Sequence, residues 1–257
     1  MDIDRTSDRP VYKQVADALR AAIRSGELTD GASLASETDL MDRYGVSRNS
    51  ARNAVALLRV EGLVVTEHGR GTFVRAHRPL RRLSSSRYSK AKRAAGRAPL
   101  HAEAAEQDTK ADQQLLLGVE VVDPPEEVAD RLGLGANEKA LVRRRLLSVG
   151  GEPAQLADSY FPLGVAQGTR IERPEKIPGG VHAELEQELG YELDRFTEEL
   201  TFRMPTPEEA RQLRIGAGVP VVRLLRTLYD TSGRALEVSD FLLAGDRHVL
   251  VYELSAD

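Results

Sequence analysis

The stretch VSRNSARN (46–53) gathers polar side chains at a telling spacing. On a helix turning 100° per residue, Arg48, Asn49, Arg52 and Asn53 share one face, with Ala51, Val55 and Leu58 behind it. Arg pairs bidentately with guanine O6/N7 and Asn with adenine N6/N7, so such a face suits reading base edges in a major groove. Ser47 and Ser50 flank it, and with the helix N-terminal amides they suit phosphates. A second polar group is His68-Gly69-Arg70-Gly71-Thr72. There glycine permits close backbone approach, and Arg70 and His68 suit a minor groove or phosphates. No competing catalytic constellation is found: the five histidines (68, 77, 101, 182, 248) lack metal-ligand spacing, and there is no cysteine. Neither an enzyme, a metal site nor a cofactor is expected.

The elements that would position these residues read clearly. Residues 10–25 form a helix with Pro10 in its first turn, an apolar face (Tyr12, Val15, Ala16, Leu19, Ala22, Ile23) and Gly26 as its stop. Ser36-Glu37-Thr38-Asp39 opens a second, short helix broken at Gly45. Ser47 caps a third, running to about Glu61. Two β runs, Leu63–Thr66 and Thr72–Val74, enclose the Gly-rich tip as a hairpin. Helix, helix, turn, helix and hairpin make a winged helix-turn-helix.

The 257 residues carry a formal net charge of −4, which by itself argues against a nucleic-acid partner. The charge is unevenly spread. Residues 1–76 hold 11 basic and 11 acidic residues, 77–97 hold 8 basic and none acidic, and 98–257 hold 17 basic and 29 acidic. Three parts are expected: a DNA-binding domain (1–76), a basic linker and domain entry (77–97), and a second domain (98–257). The polar N-terminus and the lack of a long apolar run predict no signal peptide and no membrane span, hence a cytoplasmic protein. From about residue 113 strands and helices alternate: strands 115–122, 140–148, 154–161, 196–203, 219–229, 235–243 and 249–254, with helices 125–132, 181–189 and 206–213. PEEVADRLGLG (125–135) resembles PEEARQLRIG (207–216), so two related β-α-β-β units are expected.

Residues 10–75 resemble the DNA-binding domain of GntR-family bacterial transcription regulators. The likeness rests on the Pro-x-Tyr helix, Gly31 with LASE (34–37), YGVSRNSAR (44–52), LLRVEGLV (57–64) and GRGTFV (69–74). It implies base or phosphate contacts from Arg48 and Arg52 and a wing contact from Gly69. With the helix faces above, the expected DNA-binding set is Ser36, Thr38, Ser47, Arg48, Asn49, Ser50, Arg52, His68, Gly69, Arg70 and Gly71. The family commonly has LPSER where this chain has LASET, so Thr38 stands in place of an arginine that usually contacts DNA.

The remainder resembles the UTRA ligand-binding domain of the HutC-type branch, through SRYSKAKRAAGR (86–97), the unit from Leu141 to Tyr160, and TPEEARQL with PVVRLLRTLYDTSGRALEVSD (206–240). The resemblance implies an α+β protein, in which the winged helix-turn-helix is followed by an α/β domain similar to chorismate lyase that binds effectors without turning them over. Arg145, Asp158, Tyr160, Arg226 and Glu237 would lie in one sheet and offer polar groups to an apolar pocket, with Arg87 and Lys90 closing one side. Regulators with phosphosugar effectors often carry Arg-x-Arg before the Gly turn. Counting back from Pro153, Arg145 matches the first position and Leu147 the second, so the pair is expected to be absent. The basic stretch reads equally as linker, phosphate contact or effector contact. The expected partners are a palindromic double-stranded DNA operator, an effector of unknown identity and a second copy of the chain, in a regulator most simply read as a repressor. The alternative is a DNA-binding protein whose second domain only dimerises.

Overall fold

The computed structural model describes residues 3–67, 69–75, 80–83, 107, 115–216 and 218–253. Contacts divide the chain into two compact units. One is built on Met1–Arg78 and also takes Met204–Arg211 and Ile215–Pro220. The other takes Pro79–Arg203, Gln212–Arg214 and Val221–Asp257. Two short segments inside the expected second domain thus group with the first unit. The expected boundary at residue 76 falls outside the described residues.

In the first unit, α1 (Val11–Ser25), α2 (Glu37–Tyr44) and α3 (Arg48–Val60) precede a hairpin of β1 (Val64–Glu67) and β2 (Gly71–Val74). The start of α2 carries a full capping box. Ser36 Oγ accepts from the Asp39 amide at 3.2 Å, and Asp39 Oδ2 accepts from the Ser36 amide at 3.0 Å. Gly45 has φ 61°, a left-handed conformation that a residue with a Cβ adopts at a cost, and it turns the chain from α2 towards α3. Val15, Leu19, Leu40, Ala51, Ala54 and Leu58 meet in the core. Arg20 clamps α1 to the end of α3, its Nε and Nη2 reaching Glu61 at 2.8 and 2.6 Å. The wing is tied to the segment before α2 by Leu34 N–H to Thr72 O (2.7 Å) and Val74 N–H to Ala32 O (2.8 Å).

The second unit is a six-stranded antiparallel sheet ordered β4-β5-β6-β9-β8-β7. In chain order these are β4 (Leu115–Val122), β5 (Ala140–Val149), β6 (Glu152–Pro162), β7 (Leu193–Arg203), β8 (Val221–Asp230) and β9 (Ala235–Ala244). Helix α4 (Glu126–Leu132) lies between β4 and β5 in sequence. A single turn, α5 (Leu163–Ala166), follows β6. Helix α6 (Val181–Ala183) runs into a wider turn at Glu184–Glu188, replacing the longer helix expected over 181–189. Helix α7 (Pro207–Leu213) lies between β7 and β8 in sequence, its residues up to Arg211 grouping with the first unit. The sheet order therefore reads as two β-α-β-β units, β4-α4-β5-β6 and β7-α7-β8-β9, joined at their last strands. This is the arrangement expected from the repeated Pro-Glu-Glu segments.

Part of the basic segment 77–97, expected as a linker and domain entry, takes a regular conformation. Leu80–Leu83 forms β3, pairing in parallel with β10 (His248–Val251). A four-residue strand has no periodicity to show, and its partner lies far along the chain. Arg87 and Lys90 fall outside the described residues.

Leu58 is fully buried in the first core. Leu58→Ala is expected to cost about 2–5 kcal/mol of the first unit's stability, from lost burial and the cavity left behind. Denaturant unfolding followed by circular dichroism checks it; a change below about 0.5 kcal/mol would remove Leu58 from the core.

Candidate DNA interface and effector site

The α3 register places the expected reading face where the sequence put it. Arg48, Asn49, Arg52 and Asn53 are all exposed, while Ala51, Ala54 and Leu58 are buried. Ser47 caps the helix, its Oγ 3.2 Å from the Ser50 amide, and the two hydroxyls lie 3.1 Å apart. Asn49 Oδ1 accepts from Arg52 Nη2 at 3.3 Å, which orients the guanidinium along the face. Arg48 Nε lies 3.6 Å from Glu37 Oε2, a loose pair with the arginine side chain 72% exposed. In high dielectric such a pair contributes little, so it leaves Arg48 available to a polyanion. Ser36 and Thr38 are exposed at the start of α2.

At the wing, Gly69 (φ 74°) and Gly71 (φ 119°) make the turn, and Arg70 is exposed with Glu67 as its ion-pair partner. The Arg70 guanidinium also lies 5.8 Å from the Phe73 ring centroid. His68 is outside the described residues. The first unit thus presents two exposed groups, one on α3 and one at the wing tip.

In the second unit, cross-strand register builds a row of polar residues over five strands. Arg143 of β5 stands opposite Ser159 of β6, Ser159 opposite Ser239 of β9, Ser239 opposite Arg226 of β8, and Arg226 opposite Glu198 of β7. Directly opposed residues project to the same face, so all five lie on one side of the sheet. Arg145, Glu237 and Phe241 join them by period two. Apolar clusters bound the row on either side. One holds Leu147, Leu224, Phe241 and Leu243, and the other Leu141, Phe161, Leu228 and Leu236.

Arg143, Ser159, Ser239 and Arg226 are buried and Glu198 is half-buried, and the polar atoms answer one another. The Ser159 and Ser239 hydroxyls are 2.8 Å apart. Ser239 donates to Glu237 Oε1 at 2.5 Å, and His182 Nε2 lies 3.1 Å from Glu237 Oε2. Arg145 donates to Ser159, and Arg226 Nε donates to Glu198 Oε1 at 3.0 Å. The Arg226 guanidinium lies 4.7 Å from the Phe241 ring centroid and 5.7 Å from that of Phe196, which adds cation–π attraction in a desolvated site. Burial pushes the Glu237 carboxyl up, but His182 by hydrogen bond and charge, the Ser239 hydroxyl and nearby Arg145 outweigh it and bring it down to about 2. Burial and the neighbouring Arg145 charge both lower Arg143 from its ordinary value. Arg143 donates to three backbone carbonyls, Ile171 at 2.7 Å, Arg173, and Glu175 at 3.3 Å. It pins the 171–175 segment, while Arg145 donates to Ser159 and Arg226 stands opposite Ser239.

The expected effector set divides here. Arg145, Arg226 and Glu237 share the polar face. Asp158 and Tyr160 do not, because Ser159 occupies that face on β6 and its sequence neighbours point the other way. Asp158 ion-pairs with Arg144 at 3.3 Å, and burial raises its carboxyl above the ordinary range. Tyr160 packs with Val128 and Leu132 of α4. Arg143 and Arg145, two residues apart on β5, share one face, one step earlier than the Arg145/Leu147 register counted back from Pro153. Ser159, Ser239, His182, Arg143 and Glu198 were not identified from sequence. Glu237, Ser239 and Phe241 share parity and gave a usable signal; Ser159, Arg143 and Glu198 emerge only from strand register.

A winged helix-turn-helix with an exposed Arg/Asn face, followed by a sheet domain with a buried polar centre, defines a two-part DNA-binding regulator. Residues 11–74 match the bacterial regulatory proteins of the gntR family, and residues 112–249 match the UTRA domain. The chain belongs to the GntR family, in its UTRA-bearing form. It is 32% identical over 249 residues to the HTH-type transcriptional regulator SCO4628 of Streptomyces coelicolor, covering 95% of this chain and 92% of that one. It is 28% identical over 255 residues to the HTH-type transcriptional repressor NagR of Bacillus subtilis, covering 98% of each. Its fold is shared with PhnF from Mycobacterium smegmatis (TM-score 0.59, 22% identity, 95% and 100% of the chains). Among the described residues no helix is long and apolar enough to cross a membrane.

The depressed Glu237 carboxyl carries a pH signature. An ionised form favoured by folding contributes stability that is full above the unfolded value of 4.5 and fades as pH falls towards about 2. Glu237→Gln should be less stable than wild type near pH 6, with the gap closing as pH drops through that window. Thermal unfolding across pH checks it; a gap independent of pH would show that the carboxylate charge contributes nothing.

Proposed function

We propose that this GntR-family regulator is a repressor that binds a palindromic operator as a homodimer in the cytoplasm and is released by a small-molecule effector held on the polar face of the sheet. The exposed α3 face carries this reading: Arg48, Asn49, Arg52 and Asn53 stand clear of the core, and Ser47 and Ser50 lie at the helix N-terminus beside them. A two-fold dimer presents two such helices roughly 34 Å apart, one turn of duplex. Arg70, Gly69 and Gly71 approach the adjacent backbone or minor groove, while Ser36 and Thr38 meet phosphate. Thr38 brings no cation, so the start of α2 contributes less charge than an arginine would. NagR, similar over nearly the whole chain, is named a repressor, which supports the direction of control.

The effector reading rests on the centre formed by Arg145, Ser159, His182, Arg226, Glu237 and Ser239. Guanidinium groups suit an anion, while the ionised Glu237 and the two hydroxyls suit donors such as ligand hydroxyl or ammonium groups. A ligand lowers operator affinity only by its difference in affinity between the DNA-competent and incompetent states. Both roles are binding roles, and neither requires turnover. The alternative, a second domain that only dimerises, would use the same polar centre as internal structure.

Arg48→Ala and Arg52→Ala should each weaken binding to a duplex selected from random sequence by about 1–3 kcal/mol, if each pairs bidentately with a base. Gel shifts on the selected duplex check it; unchanged affinity in both variants would remove α3 as the reading element. A thermal-shift screen of phosphorylated and carboxylated metabolites tests the effector site. A true ligand at 100 times its Kd adds about 2.7 kcal/mol. Glu237→Gln should abolish that gain, and a screen without any stabilising compound favours the dimerisation-only alternative.

A further inference from the structure

Strand β7 (Leu193–Arg203) ends the six-stranded sheet, with β8 on one side and no described strand on the other. Its outer half is unusually open. Thr201 is exposed, and Phe202, a large apolar side chain, is 69% exposed. An edge strand with an exposed apolar residue is a template for pairing with another strand. Its charges choose the partner. If two copies of β7 run antiparallel with Thr201 opposite Thr201, Glu199 of each copy faces Arg203 of the other, and Leu200 of each faces Phe202 of the other. Opposed opposite charges and opposed apolar side chains both stabilise a strand pair. Leu200 already packs with the Leu147, Leu224, Phe241 and Leu243 cluster, so Phe202 of a second copy would extend that apolar surface. Glu199 accepts from Arg131 Nε and Nη2 at 3.1 and 2.8 Å, which holds its carboxylate in place and lowers its pKa. Pro205, which has no N–H, closes the ladder just past Arg203.

The opposite edge, β4 (Leu115–Val122), also exposes apolar side chains, Leu115, Leu117 and Val121. It holds one charged residue, Glu120, so no register of two β4 strands brings opposite charges together. Pairing β4 with β7 would be head-to-tail and would not close into a two-fold dimer.

We infer that β7 is the dimer edge, joining two copies as a continuous antiparallel sheet about a two-fold axis at Thr201. This rests on the homodimer proposed above and names its surface. The protein has no cysteine, so a single introduced thiol reports one location. In the full-length chain, Thr201→Cys should give a cross-linked dimer under mild oxidation or with a short bis-maleimide, since directly opposed Cβ atoms lie about 4.5–5.5 Å apart. Leu117→Cys should give none. Phe202→Asp should weaken dimerisation by about thirtyfold or more in analytical ultracentrifugation, with an unchanged far-UV spectrum. A wild-type dimer in which Leu117→Cys cross-links and Thr201→Cys does not overturns the β7 edge while leaving the dimer standing. If Phe202→Asp does not fold, the Thr201→Cys result decides alone. A wild-type chain that sediments as a monomer overturns the dimer itself.

Discussion

A polar side chain inside a sheet domain must find its partner among the residues that register brings opposite it, because water is not there to answer. In this chain that constraint falls on one row, Arg143, Ser159, Ser239, Arg226 and Glu198, crossing five strands between two apolar clusters. Every later feature of the second unit follows from it. Glu237 stays ionised under burial because His182, Ser239 and Arg145 surround it. Arg143 uses its planar fork on three carbonyls and so fixes the 171–175 segment, a task for which the point charge of lysine would serve poorly. Shifting any one strand by a single residue would break the row and drive apolar side chains to the wrong face.

The other face of the sheet obeys the same rule with a different outcome. Asp158 and Asp240 stand directly opposite each other, two carboxylates side by side, and their repulsion is offset by arginines. Arg144 meets Asp158 at 3.3 Å, and Arg223 meets Asp240 at 2.7 Å and Glu127 of α4 at 2.7 Å. Here the charges bind sheet and helix together, and Tyr160 packs among apolar side chains of α4. One face therefore carries a compact centre chemically suited to a ligand, and the other a network used for packing.

In the first unit the polar chemistry is exposed and the constraint is simpler. Apolar residues at helical spacing must turn inward, so Arg48, Asn49, Arg52 and Asn53 must turn outward. Capping, the left-handed Gly45 turn and the wing bonds only set where that face starts. For this reason the exposed α3 face was readable from sequence residue by residue, and the net charge of the whole chain was a poor guide to it. The acidic total belongs mostly to residues 98–257, while the first 76 residues balance.

The residues of the buried polar centre were legible only in part. Arg145, Arg226 and Glu237 are charged residues inside apolar strands, a signal any reading of the sequence detects. Asp158 and Tyr160 carry the same signal and lie on the other face. Strand parity is relative: it says that Asp158 and Ser159 point opposite ways, not which of them shares a face with Glu237. That is decided by pairing between strands far apart in the chain, and by bulges such as the one at Leu147/Ser148. The sequence by itself determined the winged head, the exposed α3 face, the family and the repeated β-α-β-β plan, because these rest on local periodicity and ordered motifs. Only the tertiary structure decided which polar residues form one centre, that Leu80–Leu83 is a strand, and that Arg143 holds the carbonyls of Ile171, Arg173 and Glu175. Each depends on a register set by non-local hydrogen bonds, which no local pattern encodes.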